Sequence, residues 1–205
     1  MYVPPHFAVS DPARLLDLIE RHSFGVLVSQ VDGLPFATHL PFLLDRAAGT
    51  HGSLVGHVAR ANPQWHEIAG QTALVVFSGP HAYVSPTWYE AANVVPTWNY
   101  VAVHAYGRVE LIEDPAALLD IVRRSVSVYE ANMPRPWVLD GSPTFVDRLL
   151  RQIVGFSVQS ASLTGDTGGA IYLNFTPVPE PTTVLGIATA GLGLAGLVRG
   201  RLRRT

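Results

Sequence analysis

Gly79-Pro-His-Ala-Tyr-Val-Ser-Pro-Thr-Trp-Tyr89, a short linker, and Val94-Val-Pro-Thr-Trp-Asn-Tyr-Val-Ala-Val-His-Ala-Tyr-Gly-Arg-Val109 form the stretch around which the chain is organised. His81, Tyr83, Trp88, Tyr89, Trp98, Tyr100 and His104 fall within about two strand lengths, interleaved with Ser85, Thr87, Thr97 and Asn99. Rings strung along strands ordinarily bury a sheet face. Packing alone does not explain the hydroxyls and amides among them, because each would need a partner if buried. A planar polar ligand uses both kinds of group. The stretch therefore reads as a ligand wall carried on paired strands.

The chain on either side supplies a sheet for this wall. Phe24 to Ser29 is strand-like, Val31-Asp32-Gly33 is a tight turn, and Pro35 to Leu44 returns as the partner strand. Ser53 to Val58 and the apolar run Ala73 to Phe77 are further strands. Ser10-Asp11-Pro12 and Glu113-Asp114-Pro115 each place a capping side chain before a proline and so open helices, with Leu15, Leu16, Leu18 and Ile19 as the apolar stripe of the first. Another helix is expected around Phe145 to Ile153, and a last strand from Gly155. Ser160 to Gly169 is small, polar and without period, and reads as a linker. Short antiparallel strands with close turns suggest a barrel.

Composition limits the possibilities. The 205 residues suffice for one domain with a real core and a tail. There is no cysteine, so neither disulfides nor thiolate metal sites hold the fold. All 14 basic residues are arginine, and Arg199, Arg201, Arg203 and Arg204 crowd the C-terminus, which leaves a weakly acidic body. Such a body is a poor match for a nucleic-acid backbone, and no helix-turn-helix pattern supports direct nucleic-acid binding. Met1-Tyr-Val-Pro-Pro-His-Phe7 has neither a basic n-region nor an apolar run, so no signal peptide is read there and a cytoplasmic body is expected. Thr182 to Val198 is a 17-residue apolar run between Val178-Pro-Glu-Pro181 and the arginine cluster. It reads as a membrane helix at the short end of the spanning range.

Three site chemistries were weighed. The eight histidines are dispersed, with His39, His57, His81 and His104 on different expected strands, and no pair shows a zinc-motif spacing. Ser23, Ser29, Ser78 and Ser85 lack the strand-to-helix elbow of a nucleophile. Gly56-His-Val-Ala-Arg-Ala-Asn-Pro63 is more promising. It brings an imidazole, a guanidinium and an amide to a strand end, an arrangement suited to phosphate.

Four motifs, Gly33 to Pro41, Gly56 to Trp65, Phe77 to Tyr89 and Val94 to Tyr100, closely resemble the PaiB family of FMN-binding split-barrel proteins, often described as negative transcriptional regulators. The likeness runs over residues 1–158. It implies a mainly β fold with flanking helices, an antiparallel split barrel like that of pyridoxamine-phosphate oxidase, and a homodimer with FMN between the barrels. By the same resemblance Thr38 and His39 would face the flavin, and His57, Arg60 and Asn62 would hold its phosphate. Tyr83, Ser85, Trp88, Thr97 and Trp98 would complete the pocket, in part from the other subunit. Two departures stand out: the linker between Tyr89 and Val94 is shorter than is usual in the family, and the usual C-terminal family segment is missing. Residues 159–176 stand in its place as a linker or irregular last strand, followed at 177–205 by a tail that resembles a PEP-CTERM sorting signal. A cytoplasmic body with a spanning tail at residues 182–198 would place the arginines outside, against the positive-inside tendency. The functions implied are an FMN-binding regulator or sensor, a flavin-dependent oxidoreductase, or an exported or membrane-anchored protein.

Overall fold

Local signals set most element boundaries in the computed structural model, which describes residues 1–88 and 93–166. In chain order the elements are β1 (Ala8–Val9), α1 (Pro12–Arg21), β2 (Phe24–Val31), β3 (Leu34–Pro41), β4 (Leu43–Asp45), β5 (Ser53–Ala59), α2 (Gln64–Ile68), β6 (Thr72–Val84), β7 (Thr97–Ile112), α3 (Pro115–Glu130), α4 (Pro143–Leu150) and β8 (Ile153–Asp166). The chain divides into two units, Met1–Ala170 and Ile171–Thr205, and every described residue belongs to the first. The expected apolar helix at residues 182–198 lies outside the described residues.

The two prolines at helix starts act as expected. Asp11 accepts a hydrogen bond from the Ala13 N–H at the head of α1, and Asp114 does the same for Ala117 at the head of α3. The first hairpin is equally local in origin. Asp32 and Gly33 both take positive φ, 51° and 72°. This is the two-residue turn whose twist matches its flanking strands, and it registers β2 on β3 from Val31↔Leu34 to Phe24↔Pro41.

All the strands are antiparallel and follow the order β3-β2-β6-β7-β8-β5-β4, with β1 on β8. The two edge strands, β3 and β4, are separated in sequence by Phe42 alone. A chain can pass from one edge of a sheet to the other through one residue only if the sheet rolls until its rims meet. Phe42 marks the meeting point: it is 2% exposed and stands edge-on to Phe77 at 5.5 Å and Phe156 at 6.0 Å. No ladder pairs join β3 to β4 among the described residues. Leu27, Leu54, Val75, Val103, Val154 and Phe156 line the rolled interior, and Leu15 and Ile19 of α1 join the same core.

Two irregularities shape the long strands. Between Ser78 and His81 the β6/β7 register shifts, at Gly79-Pro80, where a proline that cannot donate to the ladder is tolerated. Beyond it, His81–Val84 and Thr97–Tyr100 pair with each other as a two-stranded ribbon. The second shift lies between Tyr106 and Gly107, where Ala161 is the extra residue of β8. The segment expected to be a linker from Ser160 is therefore strand as far as Asp166. Its polar residues remain extended because β7 pairs with them through Asp166, and β1 pairs with the last two.

Candidate functional site

Strand alternation sorts the expected site residues onto two faces. On β7, Val103, Ala105 and Val109 point into the core, so Trp98, Tyr100, Ala102, His104 and Tyr106 share the outer face. Directly paired residues lie on the same face. The pairings Tyr83↔Trp98 and His81↔Tyr100 therefore extend this face onto β6, and Tyr106↔Ser162, His104↔Thr164 and Ala102↔Asp166 extend it onto β8. Val76 and Val26 continue the His104 row to His39 on the edge strand. The outer face is thus a floor that is apolar at Val26, Val76 and Ala102 and polar along β8 at Ser162, Thr164 and Asp166, crossed by a stripe of rings.

The ring geometry suits a planar ligand. His81 stacks on Trp98 with centroids 5.9 Å apart, and Tyr83 leans on Trp98 at 6.1 Å. Tyr83, Trp98 and Trp88 are 47%, 55% and 69% exposed, so this part of the stretch is not core in the single chain. Ser85 and Thr87 share a 2.8 Å hydrogen bond that closes the turn leading to Trp88, while Thr97 is exposed at the ribbon's far pair with Val84. Farther down the stripe, His104 sits edge-on to Tyr106 at 6.3 Å, and its Nδ1 is buried with no hydrogen-bond partner among the described residues. A buried imidazole nitrogen left unpaired is costly unless a further group completes it.

The second group lies at the other end of the sheet. Thr38 points inward, where its hydroxyl donates to Gln64 Oε1 at 2.6 Å and accepts from Asn62 Nδ2 at 2.9 Å. Asn62 Oδ1 receives the Gln64 N–H, and the Gln64 amide, 1% exposed, donates to Ser29 Oγ and to the Leu27 and Phe36 carbonyls. This closed network fastens the loop before α2 to the first hairpin. Gln64 and Ser29 were missed in the sequence, where the only available signal was a glutamine just after Asn62-Pro63. His39, the neighbour of Thr38, is turned to the opposite, outer face, so the two do not look at one ligand from the same side.

Arg60 is similarly engaged. Its Nε donates to the Arg151 carbonyl and its Nη2 to the Ile153 carbonyl, both at 3.0 Å, with Glu113 at 3.9 Å from Nη1. Its guanidinium lies over Trp65 at 5.5 Å from the ring centroid, and the indole N–H donates to the Arg60 carbonyl. His57, opposite Gly155 on the outer side of β5, has its pKa pushed down by burial. Along β6, Tyr83 lies eight residues beyond the level of Thr38, on the order of 25 Å at an ordinary strand rise. One chain therefore brings His81, Tyr83, Trp98 and Tyr100 together on the ribbon and, separately, Thr38 and Asn62 on the inner side, with Arg60 held on the Arg151 and Ile153 carbonyls, while His104 lies on the outer face six residues along β7 from Trp98, in the row of His39. No cluster of three metal-ligating side chains occurs among the described residues.

The buried histidines give a pH dependence. Burial lowers the pKa of His57, and burial followed by the N-terminal ammonium lowers that of His104. Unfolding restores ordinary imidazoles, so below about pH 6.5 the unfolded chain takes up protons that the folded one refuses. Stability should fall as pH drops through that value, read as the denaturant midpoint at neutral and mildly acidic pH. His57→Gln should flatten the profile, and an unchanged slope would contradict the role given to burial.

FMN combines a planar ring system, a polar edge and a phosphate. The stacked rings, the apolar part of the floor and the uncompleted His104 nitrogen have the chemistry to receive the first two. Comparison with known proteins agrees. Residues 1–161 match the family described as "Putative FMN-binding domain", and residues 177–204 match the PEP-CTERM protein-sorting motif. The chain is 38% identical over 161 residues to the protease synthase and sporulation protein PAI 2 of Bacillus subtilis, covering 78% of this chain and 76% of that one. Among solved structures, the flavocytochrome Anf3 of Azotobacter vinelandii shares the fold with a TM-score of 0.62 at 15% identity, over 81% of this chain and 72% of the other. An FAD- and heme-binding protein of Mycobacterium smegmatis does so with a TM-score of 0.56 at 17% identity, over 79% and 73%. With a match to the FMN-binding domain over residues 1–161, which takes in all of the sheet but the last five residues of β8, the chain belongs to the PaiB family of flavin-binding proteins, and FMN is its cofactor.

Proposed function

We propose that the chain is an FMN-binding sensor or regulator of the PaiB kind whose isoalloxazine lies on the outer face of β6, β7 and β8. The observation that carries this reading is the stripe Trp98, Tyr100, His104 and Tyr106, with one imidazole nitrogen left without a partner among the described residues. Trp98, Tyr83 and His81 would stack on or flank the ring, His104 would bond its polar edge, and Ser85, Thr97 and Trp88 would form the rim. When bound, the flavin supplies a centre that accepts and returns electrons. The protein's part is to bind it, orient it and exclude water.

A homodimer is part of the proposal. Phe24, Trp88 and Trp98, each more than half exposed, offer the apolar surface for one. Light scattering on FMN-loaded protein should give twice the chain mass with one flavin per chain, whereas a monomer that still holds flavin would refute the dimer.

Arg60 is proposed as a clasp between β5 and the turn before β8. Arg60→Ala should lower stability by about 1.5 kcal/mol through the lost charged hydrogen bonds and weaken FMN and riboflavin alike. A loss confined to FMN would restore the phosphate-anchor role that the sequence suggested. The sorting motif at residues 177–204 favours an exported or membrane-attached protein and lends no support to the cytoplasmic placement. Among the described residues no helix is long and apolar enough to cross a membrane. Fractionation of the full chain against one ending at residue 176 tests whether the tail anchors it.

A further inference from the structure

The ribbon that carries Tyr83 and Trp98 leaves the body of the sheet beyond the register shift at Gly79-Pro80, where, among the described residues, β6 and β7 pair only with each other. A two-stranded ribbon is marginal by itself and needs fixing if it is to present rings in a set geometry. The structure provides a fixing point on a different strand. The Tyr100 hydroxyl donates to Asp166 Oδ2 at 2.8 Å, and Asp166 is 2% exposed. Asp166 sits at the junction of three strands, paired with Ala102 on β7 and Ala8 on β1, on the same outer face as the aromatic stripe. Tyr100 stands between Trp98 and His104 on that face and opposite His81. A carboxylate this deeply buried is tolerated only when it is hydrogen-bonded. The bond to its charge holds the phenol more firmly than a neutral partner would.

We infer that Asp166 is a positioning residue of the flavin face: through Tyr100 it sets the orientation of the ribbon, and with it the stacking surface of Trp98 and His81. The inference rests on the proposed outer-face site. The influence of Asp166 on binding passes through the phenol that it holds.

The test uses FMN titrations of the full chain, with Asp166→Leu, Asp166→Asn, Tyr100→Phe and the Asp166→Leu/Tyr100→Phe pair. Asp166→Leu and Tyr100→Phe should each raise the Kd about tenfold, the double variant no further, and Asp166→Asn, which keeps an acceptor, much less. Tyr100 has its pKa raised, chiefly by the hydrogen bond to Asp166. In ultraviolet titration, the phenol step raised by Asp166 should be lost in Tyr100→Phe and move to lower pH in Asp166→Asn. If Asp166→Leu proves too unstable to fold, Tyr100→Phe and Asp166→Asn decide alone. Additive losses, or an unchanged Kd in Tyr100→Phe, would overturn the inference while leaving the outer-face site standing, provided Trp98→Ala still weakens binding. FMN affinity indifferent to Trp98→Ala would overturn the site and this inference together.

Discussion

Gly107→Ala should destabilise the fold by about 3 kcal/mol, at the upper end of what overpacking costs. A Cβ at this position would stand 2.2 Å from the Gln159 carbonyl oxygen and 2.7 Å from its carbon. Both are backbone atoms in the paired strand, so no side chain can swing aside to relieve the contact. The close approach falls where β8 carries its extra residue immediately afterwards, opposite the Tyr106/Gly107 step. The register shift in turn puts Ser162, Thr164 and Asp166 on the outer face beside Tyr106, His104 and Ala102. Without it those three would face the core. A lower denaturant midpoint in Gly107→Ala, accompanied by weakened FMN binding, is the expected pair of results. A stability change under about 0.5 kcal/mol, the level of an ordinary surface substitution, would show that the strands separate more easily than this packing allows.

Trp98→Ala should raise the Kd for FMN by roughly ten- to a hundredfold, the range for removing one aromatic partner from a stacked heterocycle. Trp98 is the centre of the ribbon, in ring contact with both His81 and Tyr83, and more than half exposed. Its removal takes away the surface on which a flavin ring would lie and loosens the two rings beside it. The fold should be little affected, because the ribbon lies beyond the core strands. Titration followed by flavin fluorescence measures the affinity, and thermal melting checks the fold. An affinity within twofold of the unaltered chain would remove Trp98 from the site.

Much of this was legible in the residues. Asp32-Gly33 between alternating runs specified its hairpin, Asp11-Pro12 and Asp114-Pro115 specified two helix starts, and the density of rings from His81 to His104 marked paired strands with a working surface. Other features were hidden for physical reasons. Ser160 to Asp166 has no apolar period because β8 changes face parity at Ala161, and its outward positions are polar. The sequence therefore leaves Asp166 in a segment that reads equally as a linker or as an irregular last strand. Thr38, Asn62 and Arg60 have the chemistry of phosphate ligands, but the same donors and acceptors equally serve a closed internal network. Only the positions of Gln64, Arg151 and Ile153, distant in the chain, reveal the latter. His39 could have been separated from Thr38 by alternation alone, since neighbours on a strand face opposite ways.

The proposed function rests on one placement: the flavin lies on the stripe formed by Trp98, Tyr100, His104 and Tyr106. A crystal structure of the full chain grown with FMN tests it most directly. The expected result is ring density against Trp98 and His104, with the His104 Nδ1 within hydrogen-bond distance of the flavin edge. Density instead confined to the end of the sheet around Asn62 and Arg60, with the aromatic stripe bare, would contradict it.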